Sequence, residues 1–247
     1  MRGHSDRDAQ AKGAGSGQTL SELAVERLRS DIMRGAFAPG AKLRIEELSA
    51  LSGVGASPLR EALSRLEASG LVVINGRRGF RVADVSVEDL LDLTATRKWV
   101  EGKALRSSIE NADDIWEARL LSAHHLMIRV RQSDGYEPGV INEEWEERHR
   151  AFHSALISGC ESKRLLDYSA ILYDQADRYR RMACAVASLP GKRDIATEHE
   201  GIYEYALARD ADRACKALEQ HLDLTRDTIL AFLADNPAAA SSQFAVA

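Results

Sequence analysis

Four histidines in the C-terminal half of the chain have the spacing of a metal site. His149 and His153 stand four residues apart, so on a helix both imidazoles leave the same face. His199 lies 10 residues before Arg209, and His221 lies 11 residues after Asp210. If a tight turn at Arg209-Asp210 joins two antiparallel helices, both sit about 15–16 Å from it at a helical rise of ~1.5 Å per residue. They are then level and can converge. Imidazoles from three helices suit a divalent transition metal, zinc or nickel foremost, with copper or iron next, rather than magnesium or calcium. His4, His124 and His125 fit no such pattern and are expected at the surface or in helix packing. His149-Arg150-Ala151-Phe152-His153 has the two-histidine spacing of HExxH metalloproteases, but Arg150 stands where the general-base glutamate is needed. The sequence also lacks a P-loop, a GxSxG elbow and a glycine-rich dinucleotide motif, so an enzyme is not expected.

A second set of residues has the chemistry of DNA contact. Arg60 falls in the first turn of a helix opened by Ser57-Pro58, and Arg65 falls on its polar side. The N-terminal end of a recognition helix enters the major groove, where the arginine fork matches guanine O6 and N7, or a phosphate. Ser57 is read as the N-cap, placed to donate to a phosphate that the free N–H groups of the helix start already favour. Arg77 and Arg78, beside Gly79 at a hairpin tip, are expected to reach the minor groove or the backbone.

Elements that position these residues follow from the apolar pattern. Leu23, Val25, Leu28, Ile32 and Met33 recur at helical spacing, a short helix follows over Ile45–Leu51, and Leu59, Ala62, Leu63 and Leu66 mark a third. Leu71–Ile74 and Phe80–Val82 flank Asn75-Gly76-Arg77-Arg78-Gly79 as a hairpin with a basic tip. Beyond Val85 six long helices are expected, roughly over 87–109, 112–132, 142–158, 162–187, 194–208 and 210–234. The fold class is therefore mostly α: an N-terminal winged helix-turn-helix, three helices plus a β-hairpin, joined to an all-α antiparallel helical bundle. The expected division is a disordered tail over 1–18, a DNA-binding domain over 19–84, an effector and dimerisation domain over 85–235 and a flexible tail over 236–247.

Composition agrees once it is divided. The 247 residues carry a formal charge of -5, which by itself points away from nucleic acid. Residues 1–84 hold 13 basic and 10 acidic side chains, leaving 20 and 28 for the remainder, so the acidity belongs to the C-terminal part. No apolar run approaches the ~18 residues of a membrane span, and no secretory signal is present, so a cytoplasmic address is expected. Three widely spaced cysteines (Cys160, Cys184, Cys215) suit neither a disulfide framework nor a CxxC site.

The segment GVGASPLREALSRLEASGLVVINGRRGFRVADV resembles the winged helix-turn-helix of the GntR family of bacterial transcriptional regulators, through Pro58, Arg60–Leu63, Leu66-Glu67, Gly70-Leu71 and Arg78–Val82. Members usually carry an arginine before the small residue and proline that open the recognition helix; here that position is Ala56. Residues 86–234 resemble the helical FCD effector domain of the FadR-type branch, through Arg97-x3-Glu101, Phe152-His153, Glu198-His199 with Ile202, and Asp210-x3-Ala214 leading to His221-Leu222. The resemblance implies a homodimer on a palindromic double-stranded operator, commonly a repressor, controlled by a small carboxylate or sugar-acid effector bound beside the metal. It also implies that an Asp or Asn four residues before the first histidine joins three histidines as ligand. His149 replaces it here, giving either a four-nitrogen site or, if it turns away, a three-histidine site. Arg97 matches the family's effector-binding arginine, with an ion pair to Glu101 as its alternative role. Arg178 and Arg181 are further cavity candidates. A regulator for which the metal is itself the signal is the competing reading.

Overall fold

The computed structural model describes residues 18–74, 76, 79–132, 142–186 and 193–236. Helix α1 (Leu20–Met33) opens on a capping box: the Thr19 hydroxyl accepts from the Glu22 N–H, and the Glu22 carboxylate accepts from the Thr19 N–H. Helix α2 (Ile45–Ser52) stops at Gly53, whose φ of 70° is left-handed. Nothing lies within 4 Å of a Cβ built at Gly53, so the backbone rather than space requires glycine in this turn. Helix α3 (Ala56–Ala68) begins two residues earlier than expected, with Gly55 as its N-cap and no side-chain cap. Ser57 is thus not the cap but the second helical residue. The Gly55 carbonyl takes the Leu59 N–H at 3.3 Å. Pro58 costs nothing in the first turn, where an N–H has no helical partner.

Strands β1 (Lys42–Leu43), β2 (Val72–Ile74) and β3 (Phe80–Val82) form an antiparallel sheet in the order β1-β3-β2. The expected hairpin pairs Val72 with Val82 and Ile74 with Phe80. The added edge strand β1 pairs Leu43 with Phe80. Two residues are too few to show strand alternation, so β1 left no signal in the sequence. Leu28, Ile32, Leu59, Leu63, Leu66 and Val82 close one core beneath the sheet. Of the hairpin tip, Asn75, Arg77 and Arg78 fall outside the described residues.

The remaining described helices are α4 (Val87–Glu110), α5 (Asp114–Ile128), α6 (Glu143–Ile157), α7 (Lys163–Val186), α8 (Ile195–Leu207) and α9 (Ala211–Asp235). Ser86, Asp113, Asn142, Asp194 and Asp210 each accept a first-turn N–H as N-caps. Helix α4 packs on α7 and α9, α5 on α6, and α8 folds back on α9. The α8–α9 turn passes through Arg209, whose φ of 59° is the left-handed conformation that ends the first helix. Residues 133–141, between the second and third of the expected long helices, lie outside the described residues, as do 187–192 and the tails before Gln18 and after Asn236.

Helix α7 is the seam between the two halves. Arg178 donates to the carbonyls of Ala83 and Asp84 in the linker, at 2.7 and 3.0 Å. Gln175 donates to the Ser69 carbonyl at the end of α3, at 2.8 Å. The Tyr179 hydroxyl sits 3.1 Å from the Ser86 N–H. Among the described residues no helix is long and apolar enough to cross a membrane.

Candidate functional site

The bundle brings the four histidines together. One ring nitrogen from each of His149, His153, His199 and His221 lies within 4.8 Å of the others, and all four side chains are buried. His149 and His153 come from consecutive turns of α6, as the four-residue spacing required. His199 on α8 and His221 on α9 meet with ring centroids 4.6 Å apart. Nε2 of His149 is 3.1 Å from Nε2 of both His153 and His199.

Burial pushes the pKa of His149, His153 and His199 well below the ordinary histidine range, and neighbouring charges add to the effect. These are the guanidiniums of Arg97, Arg180 and Arg193 and the other imidazoles of the group. Burial lowers His221 as well, against the pull of Glu198. Neutral imidazoles whose lone pairs converge repel one another unless a cation lies between them. Burial keeps these imidazoles neutral, and four neutral nitrogen donors converging on one point are a ligand set that fits zinc or nickel.

Surrounding groups hold two of the rings. Glu198 Oε2 is 2.8 Å from His221 Nδ1, and Arg193 grips the same carboxylate with Nε and Nη2 at 2.6 Å each. Burial would raise the Glu198 carboxyl, but Arg193 and His221 hold it down to about 2. An ionised acceptor at Nδ1 keeps the proton there and leaves Nε2 of His221 as the donor to a metal. His149 stacks on Trp145 with centroids 4.5 Å apart, and its Nδ1 has two neighbours. Tyr173 Oη is 2.7 Å away and donates its own proton to Glu146 Oε1; Arg180 Nη1 is 3.0 Å away. A proton on Nδ1 pointing at Tyr173 frees Nε2 for a metal. The other tautomer accepts from Arg180 and protonates Nε2. Arg180 is itself fixed by Glu146 and Asp177, at 2.7 and 2.9 Å.

A cavity of about 380 Å³ adjoins the cluster through His153, with Arg119, Arg150, Ser154, Ser169 and Tyr173 also on its wall. Arg97 is absent from that wall. It is buried and paired with Glu101, Nε to Oε1 at 2.6 Å, the alternative role open to it on sequence grounds. Arg178 directs Nη1 and Nη2 to the linker, and Arg181 pairs with Asp177 and Glu143 at 3.0 and 2.8 Å. Neither lines the cavity. The sequence reading missed Arg119 and Arg150 on the wall, and Tyr173, Arg180, Arg193 and Glu146 around the rings. Only Arg150 carried a local signal, one residue after His149 inside the two-histidine motif. His124, buried and stacked on Tyr203 with centroids 4.0 Å apart, is a packing residue.

On α3 the buried face is Leu59, Ala62, Leu63 and Leu66, which leaves Ser57, Arg60 and Arg65 exposed. Arg60 has no ion pair among the described residues, whereas Arg65 is held by Glu61 at 2.7 Å. The N–H groups of Ala56 and Ser57 precede the first helical hydrogen bond, and both residues are exposed.

The model for bacterial regulatory proteins of the gntR family matches residues 20–82, and the FCD domain model matches 92–224. Across 87% of both chains the protein is 39% identical to the HTH-type transcriptional regulator BphR of Paraburkholderia xenovorans. It belongs to the GntR family. A second relative of this GntR protein is the HTH-type transcriptional repressor GlaR of Escherichia coli, 38% identical over 79% of this chain and 89% of that one. Among solved structures, E. coli McbR/YncC shares the fold at a TM-score of 0.72 and 19% identity, over 87% of this chain and 98% of that one. The protein is thus a DNA-binding transcriptional regulator with an FCD effector domain, in a family of regulators rather than enzymes.

Proposed function

We propose that the protein is a cytoplasmic repressor that binds a palindromic operator as a homodimer and is controlled by a small organic acid bound beside a metal ion. The observation that carries this reading is the sharing of His153 between the four-histidine cluster and an arginine-bearing cavity. His149, His153, His199 and His221 would hold zinc or nickel, which would supply a Lewis-acidic partner for a carboxylate oxygen. Arginines on the cavity wall would pair with the rest of the anion. The repressor sense is drawn from the relative named as one. An exposed stripe on α4, Leu91, Ala95 and Trp99 at four-residue spacing, with Trp99 72% exposed, supports a partner surface. Two-fold symmetry of the dimer would impose a two-fold symmetric site.

The test starts from an operator selected out of random-sequence DNA by the zinc-loaded protein. Acetate, succinate and citrate are then titrated into the complex, with and without a chelator. Release by a carboxylate only when metal is present is the expected result. Loss or gain of DNA binding on chelation alone would make the ion itself the signal and overturn the organic-acid reading.

Two further outcomes concern Ser57, Arg60, Arg65, Arg77 and Arg78 as the proposed DNA contacts. Arg60→Ala removes an unpaired exposed arginine and should leave folding intact. If Arg60 reads a base in each half-site, the loss is roughly 1–3 kcal/mol per contact, so a dimer binds at least about 30-fold more weakly. A folded variant with undiminished binding in a mobility-shift titration would remove α3 from the recognition role. Affinity should also fall steeply with salt, by a log–log slope of about -0.9 per neutralised phosphate. A salt-independent affinity would contradict arginine–phosphate contact at the wing.

A further inference from the structure

We infer that Arg150 is the residue that reads the effector's negative charge, and that Asp174 passes this event to the DNA-binding half through Arg29. The inference rests on the proposed carboxylate effector and adds how its binding is transmitted.

Asp174, on the seam helix α7, is claimed from two sides. Arg29 of α1 donates from Nε to Oδ2 at 2.8 Å and from Nη2 to Oδ1 at 2.5 Å. Arg150 of α6 donates from Nη2 to the same Oδ1. One carboxylate therefore serves two guanidiniums, one from the winged-helix half and one from the cavity wall. Nearby acids are already committed: Glu101 to Arg97, and Asp177 to Arg180 and Arg181. Arg150 is thus left with half a partner, while its guanidinium carbon lies 4.4 Å from the centroid of the Tyr173 ring that lines the cavity. Arg119 stands exposed on the same wall with no ion pair among the described residues.

An anion entering the cavity supplies what Arg150 lacks. As Arg150 turns to it, Oδ1 is no longer divided between two donors, and one of two mutually repelling cations leaves Asp174. The Arg29–Asp174 fork then tightens and holds the winged-helix half more firmly against α7, in the docked arrangement that Gln175 and Arg178 also favour. The approach there is already close, since a Cβ built on Gly70 would meet Gln175 Nε2 at 2.4 Å. A ligand shifts this equilibrium only by its differential affinity for docked and undocked forms, and DNA that pulls the halves apart weakens the ligand by the same factor.

The experiment uses full-length, zinc-loaded protein with acetate, succinate and citrate as probes. Binding is measured by calorimetry, and docking is read from hydrogen exchange of the linker amides, where Tyr179 covers the Ser86 N–H. In the unsubstituted protein the carboxylate that binds should slow linker exchange several-fold, within the 5–150-fold span of ordinary coupling. Arg150→Ala should weaken that carboxylate about tenfold or more and should show slow linker exchange without any ligand. Asp174→Asn should bind the carboxylate at least as tightly, because Arg150 is freed, yet leave linker exchange fast and unresponsive. Arg29→Ala, which removes the winged-helix partner of Asp174, should reproduce that unresponsiveness with binding intact. Undiminished binding by Arg150→Ala, or a preserved linker response in both Asp174→Asn and Arg29→Ala, would overturn the relay while the effector reading stands. Failure of all three carboxylates to bind the unsubstituted protein would overturn the effector reading and the relay with it.

Discussion

Replacing His199 and His221 together by alanine is expected to abolish metal binding. The pair supplies two of the four converging nitrogens, from α8 and α9, and His221 is the ring whose tautomer Glu198 fixes. Losing only an outer hydrogen bond to a ligating histidine typically costs 10–100-fold in affinity, so losing two ligands should cost more than about 100-fold. The remaining His149 and His153 sit on one helix and cannot enclose an ion. Zinc should also stop raising the unfolding temperature, because stabilisation by a ligand scales with its affinity for the folded state. Competition titration against a chromogenic chelator reads the affinity, and elemental analysis reads the content of protein as purified. Full zinc occupancy in the double variant would show that the metal lies elsewhere.

Acid should destabilise the metal-free protein well above the range where its carboxylates titrate. Burial and the surrounding guanidiniums hold the four histidines below their ordinary pKa in the folded state. In the unfolded chain they take up protons near pH 6.5. Below that pH the unfolded state therefore binds more protons than the native one, and stability falls as pH falls. Each histidine contributes up to ~1.4 kcal/mol per pH unit, so four of them remove on the order of 4 kcal/mol between pH 7 and 5.5. Glu198 has the opposite charge but the same sign of dependence. Its carboxyl is lowered from 4.5 to about 2, so its contribution is intact at pH 5.5 and is lost only as pH drops from about 4.5 toward 2. The histidine effect therefore sets in first, as pH falls through about 6.5, and the Glu198 effect begins only near 4.5. Urea unfolding of chelator-treated protein at pH 7 and 5.5 measures the first, and equal stability at both would mean that the histidines are not held neutral.

These two expectations draw on information of different origin. The convergence of the histidines was legible in the sequence, because helical rise and the four-residue repeat are local rules. Counting residues from the Arg209-Asp210 turn placed His199 and His221 level, and the structure puts their rings together. The groups that tune those rings were not legible. Tyr173 and Arg180 come from α7, 24 and 31 residues from His149, and nothing local says which face of α7 turns toward α6. The Arg97 role was open for the same reason. An arginine and a glutamate four residues apart will pair or part depending on what else surrounds them, and burial against Tyr173 leaves Arg97 with Glu101.

What the sequence by itself determined was the order and type of the elements: helix, turn, helix and hairpin, then a helical bundle, with arginines on the exposed side of α3 and histidines on the inner sides of α6, α8 and α9. Glycine and proline punctuation, capping residues and apolar period are enough for this, because each acts over a few residues. Only the tertiary structure decided which charges meet. Pairing Arg29 with Asp174 joins residues 145 positions apart, and Arg150 reaches the same carboxylate from a third helix. Such contacts depend on the rotation and depth at which helices pack. Those are set by the shape of the whole core rather than by any segment of the chain.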